Sequence, residues 1–392
     1  MSEHIGGRVR IWRRRRKLSQ ATLAGLAGLS QGYLSQIETG VRSVEMRSTL
    51  VALAGALDVS VADLLGQTSD PTDPVRVKAS EAVAGIRVAL VALDIGDIDP
   101  PTRGPEEMAA AVESAMRLRQ QSEYLTLAPL LPGLLRDAAG YPGTDALTRI
   151  AYEASVCLRN LGYRDLSWPA AKIAVAASRE LGDPAWMGAA NFVFTLSLPM
   201  EAATSARRVG ERSLTDLQRN ASDPNARQML GQVHLSAAFS SAVARKQLDV
   251  DAHLREAERE AASLGGDPNG TGFNLSFFGP TNIRLWKMSI YSELGDYGKA
   301  MEIARGLRVD DIPVANRRQS YHMTLGRALA HNGKADKLAL VELALAERAA
   351  PASFRLNPLT RDIVAAMINR AKRKAVAEDL VAMAHRLGIS PT

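Results

Sequence analysis

LSQATLAGLAGLSQGYLSQIETGVR, residues 18–42, decides how the first part of this 392-residue chain folds. Ser19 precedes one apolar-periodic stretch (Leu23, Ala24, Leu26, Ala27) and Ser30 precedes a second (Tyr33, Leu34, Ile37). Each serine is placed to accept a hydrogen bond from an orphan backbone N–H, so two short helices are marked. Between them Gly28 supplies the positive φ that an abrupt helix end requires. The second helix must turn sharply away from the first, which is the layout of a helix-turn-helix. Leu34 and Ile37, three apart, suit its inner face, while Gln31, Tyr33, Ser35 and Gln36 carry hydrogen-bonding groups on the others.

Glutamine suits adenine in the major groove, where its amide meets N6 and N7 together. Upstream, a helix over about 5–17 is expected to carry Arg8, Arg10, Arg13, Arg14, Arg15, Arg16 and Lys17. Taken alone, a charge run is as well read as a solvated face. Beside a helix-turn-helix it is placed to meet phosphates flanking the groove. Residues 1–66 hold nine Lys or Arg against five Asp or Glu, leaving 39 against 37 for the rest. Most of the net +6 therefore sits on the short first segment.

The stretch from Ile5 to Leu65 resembles the five-helix DNA-binding domain of the Cro/C1-type, or Xre, family of bacterial and phage repressors. The resemblance rests on L-S-Q-x-x-L-A, then G-L-S, then Y-L-S-x-I-E-x-G, then L-D-V-S-x-x-D-L-L. It implies that Gln20 anchors a DNA phosphate and braces the reading helix. It implies base contacts from Gln31 and Gln36, and backbone contacts from Ser35, Thr39 and Arg42, with Arg14 among the phosphate-facing cations. It also implies a structural pair between Glu38 and Arg13. Gly32 departs from the pattern where many relatives carry a base-reading side chain, so that contact passes to Tyr33 or is lost. Lys17 departs where a helix-ending glycine is common. Such domains read two half-sites about one turn apart, so a dimer on a roughly palindromic operator in double-stranded DNA is expected.

After Leu65 the chain reads GQTSDPTDP, residues 66–74, which is linker composition. The expected organisation is a helix-turn-helix domain over 1–66, a linker and connecting helix over 67–104, and a helical repeat domain over 105–392. The fold class is all-α. Pro142, Pro184, Pro224, Pro268 and Pro313 recur 42, 40, 44 and 45 residues apart, three of them as Asp-Pro. A period in this range indicates stacked helix pairs, none able to bury its own apolar face. Residues 285–304 and 321–351 resemble tetratricopeptide repeats, with the turns Leu294-Gly295-Asp296-Tyr297 and Asn332-Gly333-Lys334.

The first helix of each pair lines a concave face in such arrays. Asn191, Asn282, Arg284, Trp286, Asn316, Arg317 and Tyr321 are the candidates for holding a peptide or small-molecule effector, against the plainer reading of helix-surface polarity and core aromatics. The repeats are also where a homodimer is expected. Residues 265–282, GGDPNGTGFNLSFFGPTN, interrupt the array with Phe273, Phe277 and Phe278. This segment packs aromatics beneath the next helices or forms a lid over a groove. It does not match a nucleotide-binding loop, since Thr271 stands where that motif needs lysine.

Enzyme chemistry finds little support. The six histidines form no H-E-x-x-H and no i, i+4 pair, so no metal is expected. Cys157, the single cysteine, excludes an intrachain disulfide and reads as a small buried hydrophobe. No cofactor is implied. The start lacks signal-peptide character and the longest apolar run, near Val88–Leu93, is too short to span a bilayer, so a cytoplasmic protein without membrane contact is expected. The reading that follows is a DNA-binding transcription regulator. The alternative is an interaction scaffold in which DNA binding is weak or secondary.

Overall fold

The computed structural model describes residues 4–66, 73–265, 272–312, 314–371 and 378–389. Most of the expected linker, together with Pro268, Pro313 and the stretch compared with a nucleotide loop, lies outside them. Among the described residues the chain is all-α. The first helices are α1 (Ile5–Arg15), α2 (Gln20–Leu26), α3 (Gln31–Glu38), α4 (Arg47–Leu57) and α5 (Val61–Leu65). There follow α6 (Pro74–Ile95), α7 (Pro105–Gln120), α8 (Tyr124–Leu127), α9 (Leu131–Ala139), α10 (Ala146–Asn160), α11 (Arg164–Leu181) and α12 (Pro184–Ser197). The next are α13 (Ala203–Arg219), α14 (Pro224–Val243), α15 (Gln247–Leu264), α16 (Pro280–Glu293) and α17 (Tyr297–Arg305). The last are α18 (Ala315–Ala330), α19 (Asp336–Ala349), α20 (Pro351–Leu356), α21 (Pro358–Ala371) and α22 (Glu378–Arg386). No described helix is long and apolar enough to cross a membrane.

Two Asp-Pro steps explain their recurrence. Asp183 accepts from the N–H of Trp186 at 2.9 Å, and Asp223 accepts from Asn225 and Ala226 at 3.1 Å, so each aspartate caps a helix whose first residue is proline. Proline there forfeits no intrahelical bond.

Two compact units are present. One contains residues 74–287 with 307–318. In it α10 packs on α11, and α14 on α15, in a repeat-like succession. Ala151, Ala154, Ala170, Ala171 and Ala174 are fully buried, and Ser155 and Ser167 meet through their hydroxyls at 3.1 Å. Small side chains let the paired helices approach closely.

The other unit contains residues 1–73 with 288–306 and 319–392. Its later helices α19–α22 share a core built on Leu343, Phe354, Val364, Met367 and Met383. Single carboxylates join the early helices to these later ones. Asp362 on α21 accepts from the backbone N–H of Ile5 at 2.8 Å and of Val44 at 2.7 Å. The residue before α4, Met46, offers no side-chain cap, and the carboxylate of Glu293 accepts from Arg47 and Ser48 instead. Glu45 accepts from the Tyr297 hydroxyl at 2.7 Å and pairs with His331. Arg370 donates to the Val41 carbonyl at 2.9 Å and Asn369 to that of Gly40 at 3.2 Å. The loop after α3 is thus held along its length by groups from much later in the chain.

Candidate nucleic-acid interface

The two serines cap as their positions require. Ser19 Oγ accepts from Thr22 at 3.0 Å, and Ser30 Oγ accepts from Tyr33 at 3.2 Å. Between α2 and α3 Gly28 takes φ +65° and Leu29 N–H closes on the Ala24 carbonyl at 2.8 Å. Leu34 and Ile37 are wholly buried, which fixes the rotation of α3 about its axis. Gln31, Gly32, Gln36 and Thr39 are then exposed, and Tyr33, Ser35 and Arg42 half-buried.

Beneath the exposed row lies a fixed polar brace. Arg13 grips the buried Glu38 with Nε at 2.6 Å and Nη2 at 2.8 Å, while its Nη1 donates to the Leu18 carbonyl at 2.9 Å. Gln20 Nε2 donates to the same carboxylate at 2.8 Å. Burial pushes the Glu38 carboxyl upward, but hydrogen bonds from Arg13 and Gln20 and the charges of Arg13 and Arg10 outweigh it and hold Glu38 below the usual range. The Arg13–Glu38 pair implied by the resemblance is therefore present, and Gln20 is tied into it. Lys17 takes φ +57°, so it makes the left-handed turn commonly left to glycine.

The basic first helix divides its labour. Arg8 donates to the Leu64 carbonyl at 2.7 Å and to that of Leu65 at 2.5 Å, and Arg16 to those of Leu57 and Asp58 at 3.0 and 2.9 Å. These guanidinium groups close the C-terminal ends of α5 and α4. Arg10 and Arg14 lie exposed four residues apart on α1, and Lys17 lies exposed just beyond its end. Arg15 stacks over Trp12 at 5.1 Å, and Arg42 over Tyr33 at 5.6 Å. Tyr33 and Arg42, both singled out in the sequence, are thereby brought together alongside α3. Thr39 spends its hydroxyl on the Ser35 carbonyl at 2.8 Å.

The candidate effector residues are less uniform. Asn282 is fully buried and donates to Gln232 Oε1 at 3.4 Å. Trp286 meets Phe192 and Phe239 edge-on, with ring centroids 6.2 and 6.1 Å apart. Arg317 donates to the Ser276 carbonyl at 3.1 Å, and burial pushes its pKa down to about 10. Asn191 and Asn316 are half-buried and Arg284 is exposed. Tyr321 falls in the unit that contains α1–α5 and gives its hydroxyl to Ala304.

In the interrupting segment, Phe273 packs on Trp186 at 4.5 Å between ring centroids, and Phe277 and Phe278 are buried. Phe278 lies where a Cβ on Gly231 would stand, so that glycine makes room for the ring. Gln232 and Arg119 hold the carbonyls of Ser276 and Asn274 at 3.0 and 2.7 Å. Phe273 and Phe278 thus pack against α12 and α14, helices that precede the segment, where packing beneath the following ones was expected.

Several polar groups escaped the sequence reading. His234 on α14 and His253 on α15 face each other with Nδ1 atoms 3.1 Å apart, and burial with the His253 charge pushes His234 down to about 4. Their separation along the chain offers no helical signal. Arg119 and Glu153 form a buried pair at 2.7 Å, foreshadowed only by a glutamate standing within the apolar face of α10. No group of three or more His, Cys, Asp or Glu placed for a metal occurs among the described residues. Cys157 is buried.

The sequence of this first part is similar to that of known proteins. Residues 4–65 match the model of the helix-turn-helix domain family, so the first five helices form a domain of that class. Over 63 residues the chain is 41% identical to an immunity repressor protein of Bacillus phage phi105, covering 16% of this chain and 43% of that relative. The chain thus spans less than half the length of the curated relative it matches.

Proposed function

We propose that residues 4–66 read a specific operator in double-stranded DNA and that the protein regulates transcription as a homodimer. The observation that carries this reading is the exposed row on α3, Gln31 and Gln36 with Thr39, locked in orientation by the Gln20–Glu38–Arg13 brace. A helix held at one rotation brings those amides to a base edge without reordering its backbone. Gln31 and Gln36 are assigned to bases, Tyr33 to the readout that Gly32 cannot supply, and Ser35, Thr39, Arg42, Gln20 and Arg14 to the phosphate backbone. Gly32 offers the groove only its backbone. The likeness to a named repressor supports the same reading.

The remaining helices are assigned a tetratricopeptide-like regulatory part that dimerises and holds a peptide or small-molecule effector. Its candidates in one unit are the buried Asn282, the half-buried Trp286, Arg317, Asn191 and Asn316 and the exposed Arg284, and Tyr321 is a separate candidate in the other. An effector acts here only by binding two dimer geometries unequally. The test is selection of bound fragments from sheared genomic DNA by the purified protein, followed by titration of Gln31→Ala and Gln36→Ala on the selected site. Each substitution should weaken that site by roughly 1–3 kcal/mol and relax preference at one base step. Weak binding indifferent to sequence would instead favour the scaffold.

A further inference from the structure

The first helix beyond the helix-turn-helix domain has two apolar faces, and the fold uses only one. On α6, Ala79, Val83, Ile86 and Leu90 are buried and pack chiefly toward α9. On the opposite side Val77, Ala84, Val88, Val91 and Ile95 form a second stripe that is exposed, with Val88 at 70%, Val91 at 56% and Ile95 at 71%. Its members recur at spacings of seven, four, three and four residues, the repeat of a two-stranded coiled-coil seam. Trp168 on α11, 38% exposed, lies between Asp165 and Lys172, which pair across to Arg87 and Asp94 of α6. The tryptophan therefore borders the same stripe.

We infer that this stripe is the seam by which α6 pairs antiparallel with α6 of a second copy of the chain. The inference rests on the dimeric reading above and names the surface that carries it. Register follows from side-chain size. With Val88 set opposite Val91 of the other copy, Ile95 falls opposite Ala84, so large meets small at both ends of a two-fold contact. In the same register Arg87 lies beside Asp94 of the other copy, twice over, which is the charge complement that an antiparallel seam requires. A parallel pairing places Arg87 near Ala92 and stacks alanine on alanine at position 84, and gains neither. The intrachain partners Asp165 and Lys172 are themselves about half exposed, and such pairs exchange at little expense. Ala84, Val88, Val91 and Ile95, which this register covers, present with Trp168 and the flanking Arg87 and Asp94 roughly 500 Å² per copy, so two copies bury about 1,000 Å², the size at which a specific interface becomes tenable.

Sedimentation velocity on the full chain tests the seam. The wild type is expected to be a dimer, and the double variant Val88→Glu with Val91→Glu a monomer at the same concentration with unchanged far-UV circular dichroism. Burying unpaired carboxylates in the seam should weaken association at least about 100-fold. Orientation is read by oxidative cross-linking, for which the buried Cys157 gives little background. A mixture of Ala84→Cys and Ile95→Cys chains should yield a cross-linked dimer, and neither variant alone should. A dimer that survives both glutamates overturns the seam and leaves operator reading standing. A wild-type chain that stays monomeric both free and on its selected DNA overturns the dimeric reading itself. Cross-linking by Ala84→Cys alone overturns the antiparallel register.

Discussion

Replacing Asp362 with alanine separates two opposed effects that meet in one carboxyl group. The wild-type side chain accepts two buried backbone N–H groups, from Ile5 and Val44, and is itself almost wholly inaccessible. Alanine leaves both donors without an acceptor, at about 1–3 kcal/mol each. The carboxyl also carries a burden. Burial pushes its pKa up to about 6 from 3.8, against the pull of the two N–H groups and of Arg8, while Glu45 adds to the rise. An acid whose folded pKa is raised holds its proton more tightly when folded, so its contribution is complete below about pH 4 and is lost as pH rises through 6. The shift corresponds to roughly 3 kcal/mol. Urea unfolding of both proteins, followed by circular dichroism from pH 4 to pH 8, should show the variant less stable by the largest margin at the acid end. That margin should shrink by on the order of 3 kcal/mol towards pH 7. Parallel profiles for the two proteins, or a gap that widens with pH, would refute the account of a carboxyl held against its burial.

Three further substitutions test the reading domain. Glu38→Ala leaves Arg13 and Gln20 without their shared acceptor and should destabilise the fold by about 3 kcal/mol in thermal or urea unfolding. Because the Glu38 carboxyl is held below its usual range, the stability it adds is present above the ordinary glutamate pKa and lost in acid, the opposite sense to Asp362. Gly32→Ala places a methyl group in open space on a helix and should raise stability by about 0.5 kcal/mol, read as a higher Tm. Arg14→Ala should weaken operator and non-operator DNA alike and lower the slope of log K against log salt by about 1, measured by fluorescence anisotropy. An altered sequence preference in that variant would move Arg14 from the backbone to the bases.

What the sequence made legible is local. Ser19, Ser30 and Gly28 announce α2, the turn and α3 because capping and positive φ act over three or four residues, and the pattern of Leu34 and Ile37 sets which amides face outward. The Arg13–Glu38 pair was legible only through resemblance, since 25 residues separate its members. The roles of Arg8 and Arg16 were hidden because a helix-closing guanidinium and a phosphate-binding one look alike in a charge run. Asp362 and Glu293 were invisible for a related reason. Each is one acidic residue on a helix, and nothing in its neighbourhood tells that its acceptors will be claimed by backbone far away in the chain. The paired histidines belong to the same class, brought together by helix packing and not by spacing.

The carboxylates that finish the loop after α3 have a consequence for the order in which the protein comes into being. Val44 meets its acceptor on Asp362, 318 positions later in the chain, and Arg47 meets Glu293, 246 positions later. A ribosome making this chain releases α3 long before it releases the groups that anchor the loop behind it. The nascent domain therefore waits, its backbone donors turned to water, until the later helices have emerged and folded back. A product truncated before α16 lacks Glu293 and Asp362, so the N–H groups of Val44, Arg47 and Ser48 lose the carboxylates that accept from them.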